Sequence, residues 1–160
     1  MKKKVLFLSI NALLVVALFL TACSSTNTTK PTLQNTTWVL QSYGQPGNLR
    51  SVITSAGPEF ATVEITLGFD KVTGQVGPLL KGLLVGGSTG FNDYSGIYEL
   101  NGSKLSITMG FRTAVGGPAI MMDQETIYWT LLASAESYQI KDGQLQIKCG
   151  AQVLNFTQKK

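Results

Sequence analysis

The chain holds two thiols, Cys23 and Cys149, and no histidine. Without His, the Ser-His-Asp and Cys-His routes of nucleophilic catalysis are closed and the commonest zinc ligand is missing. Two cysteines cannot build a four-Cys metal site, so neither a metal nor another cofactor is expected. The nine acidic groups are Glu59, Glu64, Asp70, Asp93, Glu99, Asp123, Glu125, Glu136 and Asp142. None falls into a paired-carboxylate pattern, and they are expected as solvated charges rather than an acid–base dyad. Gly86-Gly87-Ser88-Thr89-Gly90 is of a composition that can cradle an anion on backbone N–H groups. It lacks a Lys at P-loop spacing and a following helix, so tight turning is expected instead, with Asn92 bonding turn backbone. Cys149 alternates with Ile147 and Leu145, which places it on a buried strand face with nothing nearby to lower its pKa. Met121 and Met122 are expected to fill the core. These residues encode no recognisable reaction, and an enzyme is not expected.

The 160 residues suit one domain. Thirteen Lys and Arg against nine Asp and Glu give a net charge of +4. Three of the thirteen, Lys2, Lys3 and Lys4, precede an apolar stretch of 16 residues, Val5 to Leu20, broken only by Ser9 and Asn11. That is short of the roughly 20 residues that span a bilayer and suits the core of a signal peptide. Removing the three lysines leaves ten basic against nine acidic residues, +1, and no footprint for nucleic acid. The string Leu20-Thr21-Ala22-Cys23 resembles the lipobox of bacterial lipoproteins. That resemblance implies a signal peptide over residues 1–22, cleavage before Cys23, and a diacylglycerol (hence palmitate) on the Cys23 thiol. Two or more acyl chains anchor stably, so the partner implied is a membrane surface. Ser24, where Asp is the usual inner-membrane signal, implies a cell-envelope location on the outer membrane facing the periplasm if the cell is Gram-negative. Four Asn-x-Ser/Thr sequons, at Asn27, Asn35, Asn101 and Asn155, carry no meaning in a bacterial lipoprotein.

What must position the rest is a short tether and a β-rich domain. Residues 23–34 are rich in Ser, Thr and Asn and read as a flexible tether whose Ser24–Gln34 stretch reaches about 35–40 Å when extended. The domain is expected over 35–158. Strands are expected at Thr37–Tyr43 and Ala61–Phe69. Two hairpins are expected around Asn101-Gly102 and Asp142-Gly143, and a last strand at Val153–Thr157. Ile120–Ser134 lacks Gly and Pro and sets Met121, Tyr128, Leu132 and Ala135 on one helical stripe, with Pro118 suiting its start and Asp123 capping its first turn. The expectation is an α+β fold: mostly antiparallel β, a curled sheet or part-open barrel with one covering helix.

Several strings in this order resemble the META domain of HslJ-type bacterial lipoproteins. Leu33 to Leu40 is similar to its "L-x-G-T-x-W-x-L", and Ile65 to Phe69 to its "I-x-L-x-F". Gly87 to Tyr98 follows "G-x-x-G-C-N-x-Y-x-G-x-Y" at all but one position, which marks Gly90, Phe91, Asn92, Tyr94 and Gly96 as a structural turn. Thr113, Gln124-Glu125 and the helix match "T … E-x-x-F-x-x-x-L". Leu145, Leu154 and Phe156 fit the closing strands. The resemblance implies links to stress, envelope integrity and antibiotic tolerance, without an established reaction. Phe91 stands where the family has Cys, and Gly117 where a second Cys is common. The resemblance implies a disulfide in relatives that is here replaced as a unit.

Asp70 to Val85 is additional to the family strings and is expected as a loop. Within it, Leu79 to Val85 holds Leu79, Leu80, Leu83 and Leu84, which form either a paired strand or core plug, or an exposed contact for lipid or protein. Two function classes follow. One is a non-enzymatic envelope lipoprotein that supports envelope integrity or stress tolerance by contacting an envelope protein. The other is a carrier of a lipid or small hydrophobic ligand inside the barrel.

Overall fold

The computed structural model describes residues 32–160. Nine strands and one helix follow in the order β1 (Thr36–Gln45), β2 (Asn48–Ser51), β3 (Thr66–Val76), β4 (Leu80–Ser88), β5 (Asp93–Asn101), β6 (Lys104–Arg112), α1 (Ala119–Ala133), β7 (Ser137–Lys141), β8 (Gln144–Cys149) and β9 (Gln152–Gln158). All pairings are antiparallel, in the order β2-β1-β3-β4-β5-β6-β7-β8-β9, and β1 also pairs with β9. The sheet therefore curls until its ends meet. The ring is thin at one seam: β6 and β7 share the single pair Lys104↔Ser137, because α1 leaves and rejoins the sheet there. The α+β, mostly β expectation holds.

Alternation drives this curl. Trp38 and Leu40 point inward from β1, and a register shift between Leu40 and Ser42 re-phases the strand so that Tyr43 is buried too. Leu67 and Phe69, Leu145 and Ile147, and Leu154 and Phe156 continue the inner wall, while Tyr128, Leu131 and Leu132 of α1 cover it. Burying each such large side chain is worth about 1.5–3 kcal/mol relative to exposure. The two hairpins turn differently. Around Lys141↔Gln144 both Asp142 and Gly143 are left-handed, with φ of 51° and 73°. At the other turn Asn101 is still paired, and Gly102-Ser103 makes the reversal.

Four expectations need correction, and one strand was not expected. Leu33, assigned to the tether, is fully buried in the core, and Asn35 N–H donates to Phe69 O at 2.7 Å, so Leu33 belongs to the folded domain. Residues 61–65 lie outside β3 despite their β-like composition; they are held by single backbone bonds such as Leu40 N–H to Ile65 O at 2.9 Å. Strand β2 escaped notice because all four of its residues are exposed and show no alternation. Asp123 caps nothing: Pro118 is the N-cap residue, no side chain caps the helix, and Asp123 faces solvent. Asp70 to Val85 is not a loop but the outer half of the β3–β4 hairpin, turning at Gly77-Pro78-Leu79, so the paired-strand reading of Leu79 to Val85 holds from Leu80 onward.

Candidate functional site

The hallmark residues converge with β6 and α1 into one buried polar knot. Asn92 lies in the turn between β4 and β5, and all four hydrogen-bonding positions of its amide are used. Its Oδ1 accepts from Thr113 Oγ1 at 2.9 Å and from Val115 N–H at 2.6 Å, while Nδ2 donates to Val115 O at 3.0 Å and Glu125 Oε2 at 2.9 Å. Glu125 is only 5 % exposed. Its Oε2 also accepts from Thr89 Oγ1 at 2.5 Å, and its Oε1 pairs with an Arg112 guanidinium nitrogen at 3.1 Å. The Thr89 hydroxyl has one proton, which the carboxylate takes; its oxygen accepts from Asn92 N–H at 3.1 Å. Arg112 in turn lies 5.0 Å over the Trp129 ring, a cation–π contact. A buried carboxylate is tolerated only when paired and hydrogen-bonded, and this one is both.

Next to it, Gln124 reads the chain after β2 as a strand would. Ile53 N–H donates to Gln124 Oε1 and Gln124 Nε2 donates to Ile53 O, both at 2.8 Å. Adjacent helix positions thus fasten two different loops. Tyr94, from the same hallmark, donates to Thr66 O at 2.7 Å and meets the Tyr128 hydroxyl at 2.6 Å. Burial raises the pKa of both phenols; each other's presence raises Tyr94 further and partly offsets the rise at Tyr128. Gly87 and Gly96 complete the motif by close approach. A Cβ at Gly87 would lie 2.1 Å from Thr66 O, and one at Gly96 2.4 Å from Thr108 O.

Phe91 and Gly117, the two positions for which the family resemblance implies a Cys pair, lie close together: a Cβ on Gly117 would meet the Phe91 ring at 3.2 Å. Cys149 is buried, as its alternation implies, and burial followed by Glu136 pushes its thiol up to about 12. Met121 is buried, and Met122 reaches Gly117. Cys23 and the rest of the lipobox lie outside the described residues. Among the described residues no helix is long and apolar enough to cross a membrane. Nor, among them, do three or more Cys, Asp or Glu cluster as metal ligands.

The leucine run divides. Leu83 packs against the core, Leu80 and Leu84 are half-buried, and Leu79 at the turn is 88 % exposed. Reading the sequence alone missed the pairing of Glu125 with Arg112 and Asn92. Glu125 stood among nine acids, and only its place in the matched family string set it apart.

A ring of antiparallel strands closed by β1 and β9, with one helix fastened by a buried Asn–Glu–Arg knot, defines a small β-rich module. The chain belongs to the META domain family, whose match covers residues 31–160. No curated protein matches it by sequence. Among solved structures it is similar to an NMR structure of a protein from Burkholderia xenovorans, at 24 % identity over 80 % of this chain and 84 % of that one, with a TM-score of 0.60. It is also similar to the crystal structure of a DUF4847 family protein from Bacteroides vulgatus, at 14 % identity over 79 % and 94 %, TM-score 0.51. At those identities the likeness speaks to the fold.

Proposed function

We propose that this META domain protein is a non-enzymatic lipoprotein of the bacterial cell envelope. In this reading Cys23 carries the lipid, and the domain supports envelope integrity or stress tolerance by contacting an envelope partner. The carrying observation is Leu20-Thr21-Ala22-Cys23, whose Cys lies ten residues ahead of Leu33, the first buried residue among those described. The ring interior is filled by Trp38, Phe69, Tyr98, Tyr128 and Phe156, which favours action at the surface over carriage of a ligand inside. The knot around Glu125 spends its hydrogen bonds on holding loops, which favours a fastening role over turnover. Labelled palmitate fed to cells should mark the wild type and not Cys23→Ala, and a deletion strain under detergent or heat stress should be rescued by the former alone. Equal labelling, or equal rescue by Cys23→Ala, refutes the reading.

A further inference from the structure

The outer half of the β3–β4 hairpin is bent out of the ring at the register shift between Phe69 and Thr73 and folds back over the outer face of the sheet. Val76 is buried against β6, where a Cβ on Gly110 would come within 2.3 Å of it. Leu84 lies across Gly74, and Gly82 lies against Ile97. These bare glycines let the hairpin lie flat, so its tip is held rather than free. The tip nevertheless shows solvent an apolar surface. Leu79 is the most exposed large apolar residue among those described, and Phe111, 58 % exposed, lines a 270 Å³ cleft together with Val76, Gly77 and Leu84. Exposed Lys81 lies beside the tip, while Lys71 sits at the root of the hairpin and Asp70 lines the cleft; with Asp70 the only acid in residues 70–88, that segment carries +1.

The place where the chain outside the described structure joins the domain gives this surface a partner. Asn35 N–H bonds Phe69 O at 2.7 Å, and Asn35 Oδ1 accepts from Lys71 N–H at 3.2 Å, so residues 33–35 sit at the root of this same hairpin. From Cys23 to Leu33 the chain reaches about 33–36 Å at most, whereas Phe69 to Val76 spans no more than about 25 Å of strand. A tether rooted there reaches past the tip. We propose that the hairpin tip is a lipid-contact element, with Leu79 and Phe111 entering the headgroup region of the membrane that holds Cys23, and Lys81 beside them facing its anionic lipids. The proposal rests on the anchoring reading. It adds that the domain is held at two points, with the tether raising the local concentration of membrane at the tip and Lys81 adding attraction.

The test uses the full lipidated chain in vesicles of phosphatidylethanolamine and phosphatidylglycerol, with Leu79→Cys carrying an environment-sensitive fluorophore. Gln146→Cys, on exposed β8 across the ring, is the control; buried Cys149 stays unlabelled. The mass of the mature N-terminus and co-sedimentation with vesicles report the anchor separately. The label at 79 should be quenched by spin-labelled lipids at least twofold more than the label at 146. Lys81→Glu should reduce that quenching, and only when phosphatidylglycerol is present. Equal quenching at both sites in a lipidated, sedimenting protein overturns the tip contact and leaves the anchor standing. A blue-shifted but unquenched label at 79 means contact between protein copies and also overturns it. An unmodified Cys23 with no sedimentation overturns the anchoring reading, and the tip contact with it.

Discussion

Asn92 Nδ2 donates to Glu125 Oε2 at 2.9 Å across 33 residues of sequence, which joins the turn between β4 and β5 to the middle of α1. Because Arg112, Thr89 and Thr113 bond the same pair, loss of the carboxylate strands several buried polar groups at once. Glu125→Ala should destabilise the domain by about 3–5 kcal/mol, a large share of the roughly 5–15 kcal/mol typical of a domain. Arg112→Ala should cost about 1 kcal/mol, since its side chain is 37 % exposed and water can replace it. Urea unfolding of the two variants checks this order; equal midpoints in the two would overturn it, and midpoints at the wild-type value would show that the knot is not coupled to folding.

Legibility in the sequence followed the range of the interaction. Asp142-Gly143 announces its hairpin because two adjacent residues supply the whole left-handed turn. The helix shows itself by a run without breakers, yet its two most informative residues, Gln124 and Glu125, are polar and buried. Their partners lie far off in the sequence, at Ile53 and Asn92, and no local pattern marks them. The β3–β4 hairpin was hidden for another reason. Gly74, Gly77-Pro78 and Gly82 look like loop punctuation, but Leu84 lies across Gly74 and Ile97 against Gly82, so two of the glycines serve packing. Leu33 looked like tether because a single apolar residue has no period.

The Phe91–Gly117 contact predicts how the missing pair of cysteines would behave. The double variant Phe91→Cys, Gly117→Cys should form a disulfide on oxidation and raise stability over its reduced form by about 2–4 kcal/mol, for a loop of this size. Gly117→Val alone should destabilise, since its Cβ would press on the Phe91 ring and the Met122 methyl. Thiol titration after denaturation without reductant reads the first: one free thiol per domain, from Cys149, means the bridge has formed, and three mean it has not.

Alkaline pH should weaken the fold through buried acids, Tyr98 among them and three others above all. Tyr94, Tyr128 and Cys149 all have raised pKa values in the folded state, against ordinary values near 10 for the phenols and 9 for the thiol. Between the unfolded and folded values the unfolded chain has lost protons that the folded chain keeps. Their contribution is therefore complete below about pH 9 and is lost as pH rises, at about 1.4 kcal/mol per pH unit per group. The urea midpoint should be level in this respect from pH 7 to 9 and fall above it, first through Cys149 and more steeply beyond pH 10. Cys149→Ala should delay the onset, and Tyr128→Phe should flatten the steep part. A midpoint unchanged up to pH 11.5 would contradict the burial of these groups.

The leucine run offers a graded test, because its residues differ in what they touch. Leu79 faces solvent, so Leu79→Ser should change stability by no more than about 0.5 kcal/mol. Val85 is buried inside the ring opposite Phe69, and Val85→Ala should cost about 2 kcal/mol, two methyl groups at about 0.8 kcal/mol each plus the cavity left behind. Leu83 packs on the core beside Tyr98 and should approach the Val85 cost when changed to Ala, while Leu84, lying over Gly74, should fall between Leu79 and Leu83. The joint variant of Leu79, Leu80, Leu83 and Leu84 to Ser should therefore lose stability mainly through Leu83 and Leu84. Thermal melts of the four single variants decide the matter. Costs in the order Leu79, Leu84, Leu83, Val85 fit a strand that leaves solvent and enters the core with one face inward, whereas four equal small costs would mean that the hairpin is not folded back on the sheet.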